Sequence, residues 1–389
     1  MRSTGFWTVA VAFFATMSYT TVPTPLYPLY QQRDGFPVWV ITMIFAAFAV
    51  GVVCSLFLAG HLSDWAGRRR MSTIAVLLSA LSAVVFLFWN DVPGLLTARF
   101  VDGVSIGILT ATATAHLGEL RARSHPRENP VIAASVAGAA NLGGLAVGPV
   151  IGGVSAEYVP APLILPHAAY LVLFVVLAVV LRGVPETVPL RARPAYRPQR
   201  VAFPPTSRGA FAAAGLGGFA SFALFGLFTS LAPTFLIEAF DQRSHIVAGA
   251  TPFAVFASAA IAQVLLAGVA LRRQLGIAVA TCAIGLAGIA TGALLPSFAV
   301  FLIGGVVAGV GVGILFRSAI ATAGALAEPD RRGETLALIF LIAYCGLALP
   351  AIAVGVSLLF FDEVAVLLVF SGLVLVATVG AGLVMRRRA

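Results

Sequence analysis

Arg99 and Asp102 stand three residues apart in the run Arg99-Phe100-Val101-Asp102-Gly103. On a helix that spacing puts guanidinium and carboxylate on one face, within reach of each other. The run lies inside an apolar segment, residues 93–117, long enough to cross a bilayer. Asp102 falls about ten residues into it, ~15 Å at 1.5 Å per residue, near the midplane. It is the one carboxylate expected at that depth. A charge there is costly, so such a pair marks a functional site by default. A cation beside a carboxylate and burial around it act in opposite directions on proton affinity. That balance suits a group that takes up and releases a proton, with Arg99 tuning Asp102. The alternative is a permanent internal ion pair that holds its helix against a neighbour.

The elements that must position this pair follow from composition. The chain has 389 residues, 60% of them hydrophobic and only 10% charged. The apolar excess is spread along the whole length, which excludes a soluble domain and leaves a polytopic membrane protein. The net charge of +9 reflects 24 basic residues against 15 acidic ones, the basic residues all arginine and, apart from Arg99 and Arg317, spread over the loops and ends of the apolar segments, so no nucleic-acid surface is expected. The absence of lysine, with abundant Ala, Gly and Val, suggests a GC-rich bacterial genome. Cys54, Cys282 and Cys345 sit within apolar runs and lack metal-ligand spacing, so neither disulfide nor metal site is expected. The first apolar run carries no small-residue cleavage site before its prolines and reads as a membrane helix.

Twelve apolar segments can be counted, at about 5–30, 38–59, 71–89, 93–117, 130–156, 161–182, 209–237, 247–271, 275–295, 297–325, 334–360 and 363–385. With the N-terminus inside, 20 of the arginines fall in cytoplasmic segments and only Arg33 and Arg243 fall outside. The positive-inside rule therefore places both termini in the cytoplasm. Residues 183–208 are rich in Pro and Arg and read as an extended cytoplasmic linker whose arginines touch anionic headgroups. The linker separates an N-terminal six-helix bundle, residues 1–182, from a C-terminal one, residues 209–389. Gly103-Val104-Ser105-Ile106-Gly107-Ile108-Leu109 matches Gly309-Val310-Gly311-Val312-Gly313-Ile314-Leu315 at an offset of 206 residues. The fold expected is thus all-α and membrane-integral: twelve transmembrane helices in two pseudo-symmetric six-helix bundles.

The hairpin between the second and third segments reads Gly60-His61-Leu62-Ser63-Asp64-Trp65-Ala66-Gly67-Arg68-Arg69-Arg70. Gly60, Asp64, Gly67, Arg68 and Arg69 resemble the signature loop of the major facilitator superfamily of secondary transporters. Trp65 replaces the basic residue that most members carry after the acid. The Arg99–Gly103 run resembles a second superfamily motif, with Asp102 where an amide is usual. In the fifth segment, Gly144, Gly148, Pro149, Gly152 and Gly153 resemble the antiporter motif of the drug:proton branch, which the family associates with export in exchange for protons. Glycines at four-residue spacing give a flat face for close helix contact, and Pro149 bends its helix. The proline-bearing end of the first segment, Thr20 to Tyr30, loosely resembles the same branch.

These resemblances imply a secondary active transporter, expelling a small drug-like compound or metabolite by alternating access. Uptake of a nutrient by proton symport is the other transport reading. Nothing suggests an enzyme: no nucleophile elbow, phosphate loop or metal-ligand cluster is present, and no cofactor is expected. The expected partners are a small-molecule substrate, protons and the lipid bilayer, for a monomer in the bacterial inner membrane. Tyr19, Tyr27, Asn141 and Arg317 are the polar groups expected on a substrate cavity at mid-membrane depth. Arg317 could equally pair with a carbonyl cluster or snorkel to the inner interface. Phe219, Phe222, Phe225 and Phe228 are expected to face lipid, with a cavity wall for hydrophobic substrates as the second reading, and His167 to be a hydrogen-bonded packing residue.

Overall fold

The computed structural model describes residues 2–59, 62–126, 131–188, 198, 207–328 and 331–388. Fifteen α-helices follow one another: α1 (Arg2–Thr21), α2 (Tyr27–Asp34), α3 (Val38–Ala59), α4 (Ser63–Ala66), α5 (Arg68–Phe88), α6 (Val92–Ser124), α7 (Val131–Tyr158), α8 (Leu165–Leu181), α9 (Arg208–Ser230), α10 (Ala232–Phe240), α11 (His245–Leu265), α12 (Leu271–Leu294), α13 (Phe298–Leu326), α14 (Arg332–Ser357) and α15 (Glu363–Arg388). Among the described residues, eleven helical stretches are long and apolar enough to span a membrane. The first of them, Thr4–Asp34, runs through α1 and α2, and the shorter α8 supplies a twelfth apolar helix. Helices satisfy their own backbone groups, the condition for crossing hydrocarbon.

The chain forms two compact units. One comprises Met1–Tyr30 and Ala47–Gln199, the other Gln31–Ala46 and Arg200–Ala389. The start of α3 thus belongs with the second unit, where a Cβ on Gly355 of α14 would meet the Thr42 side chain at 2.6 Å. The second boundary falls inside the stretch expected as a linker.

In the first unit, α6 crosses α3 where side chains are absent. A Cβ on Gly103 would strike the Phe48 carbonyl, and one on Gly107 would strike Ser55. In the second unit α13 crosses α11 in the same way, with Gly309 against Val255 and Ser258 and Gly313 against Ala259. The repeat read at an offset of 206 residues therefore marks the same helix crossing in each unit.

The glycine face of α7 packs on α1. Gly144 abuts Phe14 and Met17, Gly148 abuts the Ser18 carbonyl and Thr21, and Gly152 abuts the Val22 carbonyl and Pro25. Gly153 is also buried. Pro149 has no N–H to offer the carbonyl of Leu145, four residues back. The Thr21 hydroxyl donates to that carbonyl instead, at 3.0 Å. A side chain at Gly148 would have to push the two backbones apart, and overpacking of this kind costs about 1–3 kcal/mol. Gly148→Leu is therefore expected to separate α1 from α7, lower the melting temperature of purified protein and abolish transport. Wild-type melting and transport rates would contradict this contact.

Gly67 joins α4 to α5 at φ 100°, a backbone conformation that β-carbon-bearing residues rarely adopt. The turn leaves the first amides of α5 pointing outward, and Glu186 accepts from them: Arg68 N at 2.8 Å and Arg69 N at 3.1 Å. A carboxylate at a helix N-terminus is favoured by orphan donors and helix dipole together. Arg68 reaches Asp64 at 2.7 Å, Glu119 at 3.2 Å and the Ser63 hydroxyl at 2.6 Å. Arg69 donates to the Arg182 carbonyl at 3.1 Å, Thr187 donates to Glu119, and Arg123 donates to the Glu186 and Thr187 carbonyls. The start of the expected linker, residues 183–188, is thus folded back onto the hairpin. Gly60 lies outside the described residues. Glu186→Ala should free the amides of Arg68 and Arg69, since a hydrogen bond to a charged group contributes about 1.5 kcal/mol, or roughly tenfold in local opening. Hydrogen exchange of the peptide around residues 62–76 should speed up by that order, and unchanged exchange would rule the cap out.

Candidate functional site

The site is built where α1 stops. Its last carbonyls lack in-helix donors, as at any helix end. The chain then makes a single 3₁₀ turn at Thr24–Leu26, set by Pro23 and Pro25, before α2 begins. Arg99 on α6 donates to one of the freed carbonyls, Thr20 O, at 2.7 Å. The same Arg99 Nη1 lies 2.9 Å from Asp102 Oδ2. The Thr20 hydroxyl donates to that carboxylate oxygen at 3.0 Å. One residue of α1 thus engages both charges, backbone to the cation and hydroxyl to the anion. Thr20 was not singled out by the sequence, because nothing local links it to a residue 82 positions away.

The pair is enclosed. Arg99 is 2% exposed and Asp102 0%. The Arg99 guanidinium lies over the Phe48 ring, 4.6 Å from its centroid, an arrangement that stabilises a desolvated cation. Arg99 Nε and Asp102 Oδ1 have no hydrogen-bond partner among the described residues, and neither has the nearby Tyr27 hydroxyl. Removing one partner of a buried pair leaves a charge uncompensated, a loss of about 3–5 kcal/mol. The structure brings Arg99 and Asp102 together as their spacing implied.

A second polar cluster adjoins the first. Tyr19, next to Thr20, approaches His167 Nδ1 of α8 at 3.0 Å. Tyr30 of α2 approaches the other ring nitrogen, Nε2, at 3.2 Å. The imidazole stacks on Phe86, with centroids 4.4 Å apart and planes 6° from parallel. Tyr170 of α8 meets Ser18 at 2.5 Å. Both ring nitrogens of His167 therefore have partners.

The other residues expected at a substrate cavity are placed differently. Tyr19 and Tyr27 are enclosed within the first unit, at 0% and 1% exposure, and line no open surface there. Asn141 is half-buried on α7. Arg317 on α13 donates to the Gln263 carbonyl and, at 3.4 Å, to Ala267 O, at the C-terminal end of α11. Gln263 in turn donates to Gly313 O at 3.0 Å. Arg317 takes the carbonyl-cluster role, where a cation meets the negative end of a helix. The phenylalanines of α9 correct the expectation of a lipid-facing stripe. Phe225 and Phe228 are buried, the first stacked on Phe256 and the second against Phe301. Phe222 packs on Phe316 and Tyr344. Phe219 borders an apolar cavity of about 630 Å³ among α9, α14 and α15.

Comparison with known proteins agrees with this architecture. A stretch of 77 residues is 32% identical to the arabinose-proton symporter of Bacillus subtilis (strain 168), covering 20% of this chain and 17% of that protein. A stretch of 113 residues is 28% identical to the MFS-type transporter YfkF of the same organism, covering 28% and 29%. The matched stretches thus span less than a third of either relative. Among solved structures, the nucleoside transporter NupG superposes with a TM-score of 0.72 at 13% identity, covering 98% of this chain and 99% of the other. The human organic anion transporter MFSD10 gives 0.66 at 18% identity, covering 97% and 98%. A bacterial homologue of the lysosomal transporter Spinster gives 0.69 at 13%, covering 99% and 94%. These likenesses show the fold. The sequence model of the Major Facilitator Superfamily matches residues 8–349. The chain is a member of the Major Facilitator Superfamily, a transporter and not an enzyme.

Proposed function

We propose that this transporter moves a small organic compound out of a bacterial cytoplasm in exchange for protons, with Asp102 as the proton-exchanging group. The observation that carries the proposal is the enclosed Arg99–Asp102 pair, held by Thr20 and left with one carboxylate oxygen that has no donor among the described residues. A structural ion pair is best served by satisfying every lone pair and proton. A pair that must change protonation needs one oxygen available. Thr20 sits at the interrupted end of α1, so gain or loss of the proton acts on the segment where α1 can rearrange against α7. That couples proton binding to the helix contact that the glycines of α7 make possible. The direction of transport rests on Gly144, Gly148, Pro149, Gly152 and Gly153, the antiporter-like pattern. The protein acts as a monomer in the inner membrane, and its arginine distribution supports cytoplasmic placement of both termini.

Proton-coupled uptake is the second reading, favoured by the match to the arabinose-proton symporter. The two differ in sign. Inverted membrane vesicles, acidified inside and loaded with a quenched pH dye, are given a panel of amphipathic drugs, pentoses and nucleosides from outside. Export by exchange releases protons from the vesicles, so a substrate restores dye fluorescence. A symporter gives no such restoration; in right-side-out vesicles with a neutral lumen, substrate added outside would carry protons inward and acidify the lumen, and that result would replace the export reading. Asp102→Asn is expected to abolish proton movement while leaving exchange of labelled for unlabelled substrate intact. If the pair is structural alone, each single neutral variant expresses poorly and the double variant Arg99→Gln with Asp102→Asn regains both expression and coupled transport.

A further inference from the structure

The last turn of α1 is tied on three sides. Four consecutive residues each bond a neighbouring helix: Ser18 meets Tyr170 of α8 at 2.5 Å, Tyr19 meets His167 of α8 at 3.0 Å, the Thr20 hydroxyl donates to Asp102 of α6 at 3.0 Å, and Thr21 donates to Leu145 O of α7 at 3.0 Å. A hydroxyl on a membrane helix commonly returns to its own backbone one turn back, as Thr16 does with Ala12 O at 2.8 Å. Thr20 and Thr21 reach outward as well, at the point where the backbone of α1 stops holding itself.

His167 does more than bind α1. Its other ring nitrogen, Nε2, meets Tyr30 of α2 at 3.2 Å. Tyr19 and Tyr30 stand on opposite sides of the 3₁₀ turn at Thr24–Leu26, and both converge on the one imidazole. The ring is fully buried and stacked on Phe86, which fixes its plane. A neutral imidazole has one N–H and one bare nitrogen, so one tyrosine donates to the ring and the other accepts from it. The backbone around the break does not do this joining. Val22 N returns to Ser18 O and Tyr19 O, while Leu26 N and Tyr27 N return to Pro23 O. Those bonds hold each side of the break to itself, and the imidazole ties the two sides together.

We infer that His167 is a positioning residue for Asp102: by holding Tyr19 and Tyr30 across the break of α1, it fixes the Thr20 hydroxyl on the carboxylate. The inference rests on Asp102 being the proton-exchanging group. His167 acts on that group at one remove, through Tyr19 and the adjoining Thr20. The charged and titratable groups within electrostatic reach of the carboxylate are Arg99 on its own helix, Tyr19 at the end of α1 and Tyr27 at the start of α2. A hydroxyl that donates to a carboxylate favours its ionised form. Displacing Thr20 therefore makes Asp102 easier to protonate, and one hydrogen bond to a charged group corresponds to about one pH unit.

The test uses the purified full chain and needs no substrate. The infrared band of the protonated Asp102 carboxyl, identified by its loss in Asp102→Asn, is titrated against pH in wild type and variants. Thr20→Val removes the hydroxyl and should move the midpoint about one pH unit to higher pH. His167→Phe keeps a ring beside Phe86 but loses both bonds, and it should move the midpoint by the same amount in the same direction. The double variant should show one such shift and not the sum, because residues that act through one contact are not additive. His167→Gln offers the tyrosines one donor and one acceptor and should keep the wild-type midpoint. Tyr30→Phe cuts only the link to α2; it should shift the midpoint the same way, and it serves should His167→Phe not fold. A wild-type midpoint in the folded His167→Phe or Tyr30→Phe protein would overturn the positioning role while leaving Asp102 in its own. So would a double variant whose shift is the sum of the two. A band that never titrates in the wild type would overturn both.

Discussion

The arrangement depends on one constraint: two opposite charges are held in the middle of an apolar bundle and must be compensated there. Water and lipid offer Asp102 and Arg99 little at that depth. The protein answers with a broken helix. Because α1 ends at Thr21, the Thr20 carbonyl is free for Arg99, and its hydroxyl is placed for the carboxylate. The prolines that follow make the break permanent. The charged pair and the interruption of α1 therefore require each other, and neither is a feature of α6 alone.

Close helix contact is the second requirement, and glycine supplies it. The α1–α7 contact brings backbone within reach of backbone at Ser18 and Val22, and the α3–α6 contact does so at Phe48, whose ring also lies over Arg99. Interfaces of small residues are how helices associate without a hydrophobic drive between them. The same α6 that carries the charges also carries Gly103 and Gly107, one and two turns beyond Arg99 on the same face. The second unit repeats the crossing with Gly309 and Gly313 but places no acid in register with Asp102: residue 308, at the same offset, is Ala308. The two units share a scaffold, and the ionisable chemistry has been written onto the first.

What the sequence made legible is what local spacing encodes. Three-residue spacing predicted the Arg99–Asp102 contact, four-residue spacing predicted the flat face of α7, and an internal match pointed to two similar halves. The acid and arginines of the hairpin also pair locally, Asp64 with Arg68. What stayed hidden involves partners far apart in the chain. Thr20 and Glu186 owe their roles to contacts 82 and 118 residues away. Glu186 looked like part of a solvated linker because composition cannot show that a helix N-terminus lies over it. Phe225 and Phe228 misled because a three-residue aromatic stripe on a membrane helix reads the same whether it faces lipid or neighbouring helices. Arg317 left three options open, and only the position of the α11 terminus decides among them.

The central claim is that Asp102 changes protonation in the folded protein. Infrared spectra of the purified chain, taken at equilibrium across the pH range in which it stays folded, measure this directly. The account predicts a carboxylic-acid carbonyl band that loses intensity as pH rises, with matching growth of a carboxylate band, both missing in Asp102→Asn. Spectra of wild type and Asp102→Asn whose difference is the same at every pH would show Asp102 to be permanently ionised, and would reduce the pair to a structural clamp.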